Sequence, residues 1–166
     1  MKLNFQVLLI TSALIYSCSS DENNVEDTID VNAILGEWQA TELQINDQTA
    51  SDNAKFGKQI LDYLTARDCY ILTFNFNADL TVTAENSANY LEIGATASGL
   101  EVPCPTQTDT SSSTYTYDGS VLTTIDESGN QVSVDVTING DIMTVDAADL
   151  DIPNFNDEGK LIFMKL

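Results

Sequence analysis

From Ile34 onward, apolar and polar side chains alternate with a period of two. Tyr70, Leu72, Phe74 and Phe76 fall on one face of an extended segment, with Ile71, Thr73 and Asn75 on the other. Leu80, Val82 and Ala84 oppose Thr81, Thr83 and Glu85; Val132, Val134, Val136 and Ile138 oppose Ser133, Asp135 and Thr137. Alternation of this kind marks antiparallel strands with one face toward a core and one toward water. The connections are short: Asn77-Ala78-Asp79, Asp118-Gly119 between Tyr115–Tyr117 and Val121–Ile125, Ser128-Gly129-Asn130 and Asn139-Gly140-Asp141. Asp-Gly and Asn-Gly accept the positive φ that tight hairpin turns require. The pattern predicts an all-β fold of roughly nine strands in an antiparallel meander, the last at 160–166. Closing the meander into a barrel of about eight strands removes its exposed edges.

One segment breaks the rhythm. In SDNAKFGKQILDYLTARD, Phe56, Ile60, Leu61 and Leu64 recur at helical spacing, and Ser51 or Asp52 can cap the start. A short helix is expected over 53–66, its apolar stripe on the barrel as a lid over one end or as filling for a gap in the core. The stretch 85–102, with Gly94 and Gly99, reads as a loop or a poor strand.

The N-terminus has a different texture. Lys2 precedes a largely apolar run, Phe5 to Tyr16, broken by Gln6, Thr11 and Ser12. The run is shorter than the ~20 residues that cross a bilayer and fits the apolar core of a secretory signal. Its end, Ile15-Tyr16-Ser17-Cys18, resembles the bacterial lipobox, although Tyr16 is bulkier than the usual occupant. The resemblance implies cleavage after residue 17 and a diacylglycerol on the thiol of Cys18; the other reading is an ordinary cleaved signal with a stray cysteine. Lipid chains contribute about 0.8 kcal/mol per buried methylene, so two or three anchor a protein stably. The segment after Cys18, SSDENNVEDTIDVN, has many acids, no basic residue and no aromatic residue. That composition suits a flexible tether over 18–33. Ser19-Ser20-Asp21-Glu22 also resembles the acidic export signal of surface lipoproteins in Bacteroidetes-type bacteria, and Asp27-Thr28-Ile29 resembles their O-glycosylation site. The expected organisation is thus a signal peptide at 1–17, an acylated tether at 18–33 and one domain at 34–166, on a bacterial outer membrane.

Charge narrows the partners. Six Lys and Arg stand against 26 Asp and Glu, a formal net charge of -20. Removing residues 1–17 takes away only Lys2. Nucleic acid is therefore not an expected partner, because phosphate neutralisation needs clustered basic groups.

Ile34-Leu35-Gly36-Glu37-Trp38 resembles the Gly-x-Trp opening of lipocalins, in which the tryptophan packs across the closed end of the barrel. With Cys69, LTFNFNADLTVT at 72–83 and YDGSVLT at 117–123, the order is similar to that of small bacterial lipocalin-like lipoproteins. Leu80 departs from the pattern, standing where glycine often ends the hairpin turn. The resemblance implies a lipocalin-like barrel over residues 34–166, a monomer, and a disulfide between Cys69 and Cys104 once Cys18 is taken by lipid; two free thiols are the alternative. A small apolar or amphipathic ligand in the mouth would meet Trp38, Phe74, Phe76, Val134 and Val136, whose other reading is plain core.

Little points to catalysis. The chain has no histidine and no glycine-rich phosphate loop. Carboxylate pairs can cleave glycosides, but among so many acids some pair always looks suggestive. Asp146, Asp149 and Asp151, with Asn154, Asn156, Asp157 and Glu158, offer the oxygen ligands calcium prefers, without the spacing of an EF-hand. No enzyme, cofactor or metal is expected. Two functions compete: a lipid-anchored module with a ligand in its barrel, and a surface interaction or envelope-structure protein with a filled barrel. An inhibitor of a secreted enzyme is a third possibility.

Overall fold

The computed structural model describes residues 30–97, 99–126, 128–150 and 157–166. The signal peptide, Cys18, the acidic tether up to Ile29 and the 151–156 stretch lie outside the described residues. Ten strands and one α-helix follow in chain order: β1 (Gly36–Ile45), α1 (Asp52–Thr65), β2 (Leu72–Phe76), β3 (Thr81–Asn86), β4 (Gly94–Thr96), β5 (Gly99–Glu101), β6 (Asp109–Tyr117), β7 (Val121–Ile125), β8 (Gln131–Asn139), β9 (Ile142–Asp146) and β10 (Gly159–Lys165). Eight strands form a closed antiparallel barrel in the order β1-β10-β9-β8-β7-β6-β3-β2. The 85–102 stretch supplies a 3-10 turn at Ala88–Tyr90 and a two-stranded hairpin, β4–β5, outside the barrel.

The up-and-down order sorts the connections between two ends. The chain enters at Asp30 beside the turns at 77–80, 118–120 and 139–142. The opposite end carries α1, the 87–108 excursion and the turn at 126–130. Trp38 closes the entry end. It is fully buried, and its indole N–H donates to the Ile34 carbonyl at 2.7 Å. Lys165 reaches in from the last strand, with Nζ 5.1 Å from the Trp38 ring centre and donating to the Ala33 carbonyl at 3.1 Å. Gly36 has a reason to be glycine. Its φ is +113°, and a Cβ would lie 3.0 Å from Lys165 Cε.

At the far end α1 covers the side formed by β1, β9 and β10. Ser51 caps α1, its hydroxyl accepting from Ala54 N–H at 3.1 Å. Asp157, at the start of the chain's return into β10, accepts from both Ser51 N–H (2.7 Å) and Ser51 Oγ–H (2.6 Å) and so ties the cap to that segment. Ile60, Leu61 and Leu64 are buried: Leu61 joins the barrel core, while Ile60 and Leu64 pack with Cys69 and Val102 in a second cluster. Phe56, expected in the same stripe, is 43% exposed. The helix ends at Thr65, and Asp68 takes the left-handed conformation (φ 55°) that turns the chain into β2.

Two further inward assignments fail locally. Tyr70 precedes β2, and its ring lines an outer groove instead of the core. Leu80 occupies the turn with φ 65° and is 53% exposed, so the alternation of β3 starts only at Val82. Cys69 and Cys104 are joined, with a Cα–Cα distance of 5.8 Å.

Candidate functional site

The five expected ligand-facing residues all point into the barrel, and packing brings them together. Trp38 pairs with Phe74 across β1 and β2, and Phe76 is buried beside Val82. The Phe74 ring centre lies 5.4 Å from that of Phe163, and Phe76 meets Tyr115 edge-on at 5.0 Å. Such offset and edge-to-face contacts add to the apolar burial itself. Tyr115 directs its hydroxyl out of the cluster and donates to the Asn77 carbonyl at 3.0 Å. Burial, and then the charge of Asp79, push that phenol's pKa up. Val136 is buried and Val134 half-buried. Among the described residues no polar or charged residue is fully buried. The aromatic half of the interior is therefore occupied by its own side chains.

The upper interior differs from one side to the other. Leu43, Leu161, Val145 and Ala147 are buried in the same core cluster as Leu61 of α1. On β6, β7 and β8 the inward positions above Tyr115, Leu122 and Val136 are small: Ser111, Ser113, Thr124 and Val132. Val132 remains 39% exposed. Ser113 turns its hydroxyl to β7, donating to the Ile125 carbonyl at 2.8 Å and accepting from Ile125 N–H at 3.2 Å.

Two concavities lie on the outer wall, where the sequence had suggested only solvated side chains. One, of 220 Å³, has a floor of Ile71 and Thr73, walls of Tyr70 and the 105–108 segment, and Glu85 and Ser87 at one side. The second, of 160 Å³, shares Thr73 and Glu85 and continues over Glu37, Asn75 and Thr83. The strand registers explain the continuity. Glu37, Asn75 and Thr83 form one row across β1, β2 and β3, and Thr73 and Glu85 are directly paired in the next row. Thr83 continues its row to Ser112 on β6, with hydroxyls 3.4 Å apart. The raised wall is held by the disulfide, since Tyr70 follows Cys69 and Pro105 follows Cys104. A second clasp is Asp109, which accepts from Tyr90 O–H at 2.6 Å and Asn89 Nδ2 at 2.9 Å. Those two hydrogen bonds, Tyr90's first, hold the Asp109 carboxyl below the usual carboxylate range, and the bond to Asp109 together with its charge raises the Tyr90 phenol.

Of the acidic residues considered for calcium, Asp146 accepts from Ala148 N–H at 2.9 Å, and Asp157 is committed to Ser51. Asp151, Asn154 and Asn156 lie outside the described residues. Among the described residues no three His, Cys, Asp or Glu side chains gather as a metal cluster, and no helix is long and apolar enough to cross a membrane.

Comparison with protein-family models and with curated proteins finds no match. Among solved structures, a lipocalin-like protein from Bacteroides uniformis is similar to this chain at 14% identity and a TM-score of 0.40, covering 81% of this chain and 99% of that one. The closed barrel itself rests on the pairings of this chain's own eight strands.

Proposed function

We propose that the protein is a lipid-anchored envelope protein that uses its barrel as a filled, rigid scaffold and recognises its partner through the outer wall. One observation carries this reading: the barrel's aromatic half is packed with Trp38, Phe74, Phe76, Tyr115 and Phe163, while the two concavities described above open on the outside. A site for a drug-sized apolar ligand is usually a cavity of roughly 300–1,000 Å³ that buries most of the ligand. Both outer concavities are smaller and open, which suits a ligand lying along a surface. Anchoring at Cys18 draws on the lipobox-like Ile15-Tyr16-Ser17-Cys18. The chain has no histidine to serve as a general base, which favours binding over catalysis.

A second reading places a small apolar ligand at the mouth. It draws on Val132 and Val134, which face inward on β8 without being fully buried. Native mass spectrometry of the protein purified from its own host, before and after solvent extraction, separates the two. A mass with no adduct beyond the N-terminal lipid is expected. An extractable apolar small molecule would overturn the filled-scaffold reading in favour of the mouth. Cys18→Ala should move the protein from the membrane fraction to the soluble fraction; retention in the membrane would refute the anchor.

A further inference from the structure

We propose that the outer groove over β1, β2 and β3 is a saccharide-binding site that accepts an uncharged or amino-substituted oligosaccharide; the inference rests on the outer-wall reading above and names its ligand class. The lining has the required chemistry. Tyr70 offers an aromatic ring at one end, and a ring face packs against the C–H face of a sugar as it does against other apolar surface. Beyond it lie carboxylates, amides and hydroxyls: Glu37, Asn75, Glu85 and Gln107, with Thr73 and Ser87 between them. Among the described residues none of these six has a side-chain hydrogen bond, so their donors and acceptors remain free for a ligand. Carboxylates only accept, amides donate and accept, and hydroxyls do both, which is the set that a ring of sugar hydroxyls can satisfy.

The same lining excludes other ligands. Among the described residues no Lys or Arg lines either concavity, and two glutamates do. Phosphate, sulfate and acidic sugars would meet only like charge. The lining is too polar for a lipid tail: among the described residues Ile71 and Pro105 are its only aliphatic members. The two concavities also share Thr73 and Glu85, giving an elongated trough that runs along the wall, the shape of a short chain of rings and not of a single ion.

The disulfide supplies an independent reason to see a built site. It bonds the residue before Tyr70 to the residue before Pro105, so the cross-link holds the raised wall together at that end of the trough. A bridge needed only to hold the 87–108 excursion to the barrel could lie anywhere along it.

The test is an array of neutral, amino and acidic oligosaccharides probed with the detergent-solubilised full chain, followed by calorimetric titration of the strongest-binding oligosaccharide. Binding to a neutral or amino oligosaccharide is expected. Glu85→Ala and Tyr70→Ala should each weaken it at least tenfold, and Thr73→Arg, which fills the shared floor, should abolish it. Glu85 and Thr73 point outward from their strands, so these variants should keep the parent circular dichroism; Tyr70→Ala is read only alongside them. Reducing the disulfide should weaken binding while the barrel spectrum persists. No signal on the array, signal for acidic glycans alone, or binding indifferent to Thr73→Arg would overturn the proposal. These failures leave the filled-scaffold reading standing, whereas an extractable apolar ligand in the native protein would remove that reading itself.

Discussion

Phe163→Ala tests the filled barrel directly. Phe163 is fully buried on β10, opposite Ala40 on β1 and Met143 on β9, with its ring 5.4 Å from Phe74. Its neighbours are held by the strand ladder and cannot collapse far into the space that truncation leaves. Phe→Ala in such a setting costs about 3–5 kcal/mol, the lost transfer free energy plus a cavity penalty. That is a large share of the roughly 5–15 kcal/mol that holds a domain together. The assay is urea unfolding followed by tryptophan emission, since Trp38 is the single tryptophan and is fully buried. The new cavity, walled by Ala40, Phe74 and Met143, should stay dry and admit benzene, as apolar engineered cavities of roughly 150 Å³ do. Benzene should therefore raise the melting temperature of the variant and not that of the parent, because a ligand stabilises only the state that binds it. If the parent gains as much as the variant, the interior already holds a vacancy and the reasoning fails. A loss below about 1 kcal/mol would equally show that Phe163 is not packed as described.

Three other outcomes are expected. Cys69→Ser with Cys104→Ser opens a cross-link spanning 35 positions and should cost about 4 kcal/mol by the chain-entropy estimate, read as a lower urea midpoint; an unchanged midpoint would show that the excursion is held without the bridge. Lys165→Met removes a charged donor from the Ala33 carbonyl and a cation from the Trp38 face, and should cost about 2 kcal/mol, with a red shift of Trp38 emission if the closed end loosens. The urea midpoint should fall below about pH 4, near the ordinary aspartate value. Backbone N–H bonds from Val121 hold Asp118, and from Asn130 hold Asp126, below that value, while Asp157 is held chiefly by the Ser51 hydroxyl. Depressed folded-state values mean stability that is full above the unfolded value and lost as pH falls through the folded one. Asp118→Asn together with Asp126→Asn should flatten this limb, and an unaltered limb would assign it elsewhere.

The barrel was legible because β2, β3 and β8 each carry enough alternating positions to fix which face is buried, and because Asp118-Gly119 and Asn139-Gly140 mark tight turns between strands. Legibility failed where the backbone leaves the strand geometry. Tyr70 keeps the period of Leu72 and Phe74 in the sequence, but the chain is still turning out of α1 there. Leu80 keeps the period of Val82, but sits in the turn with positive φ. The β4–β5 hairpin has three-residue strands with little apolar character, too short for periodicity to register. The outer groove was invisible for another reason. Glu37, Thr73, Asn75 and Glu85 each read as an ordinary solvent-facing residue, and only strand register and the disulfide set them side by side. The resemblance to lipocalins points to the barrel interior, whereas the open concavities lie on its outer side.

The placement of the chain's entry has a consequence for how the molecule would sit on a membrane. Asp30 and the turns at 77–80, 118–120 and 139–142 share the closed end with Trp38, so a lipid at Cys18 would hold that end toward the bilayer. The same end carries apolar side chains in water: Leu80 at 53% exposure, Ile142 at 49%, Met164 at 53% and Leu166 at 74%. Ile142 and Met164 are paired across β9 and β10, so they form one surface and are not scattered singly. Asp79, Asp118 and Asp141 lie in the turns beside them, which disfavours anionic lipid and favours a zwitterionic surface. A fluorophore placed by Ile142→Cys on the lipidated protein should be quenched by a headgroup quencher in phosphatidylcholine vesicles, and one placed by Ser128→Cys at the opposite end should not. Equal quenching at both sites would mean that the tether lets the barrel tumble. Stronger quenching at Ser128→Cys would invert the orientation and turn the raised wall of the groove toward the membrane, where no soluble glycan could reach it.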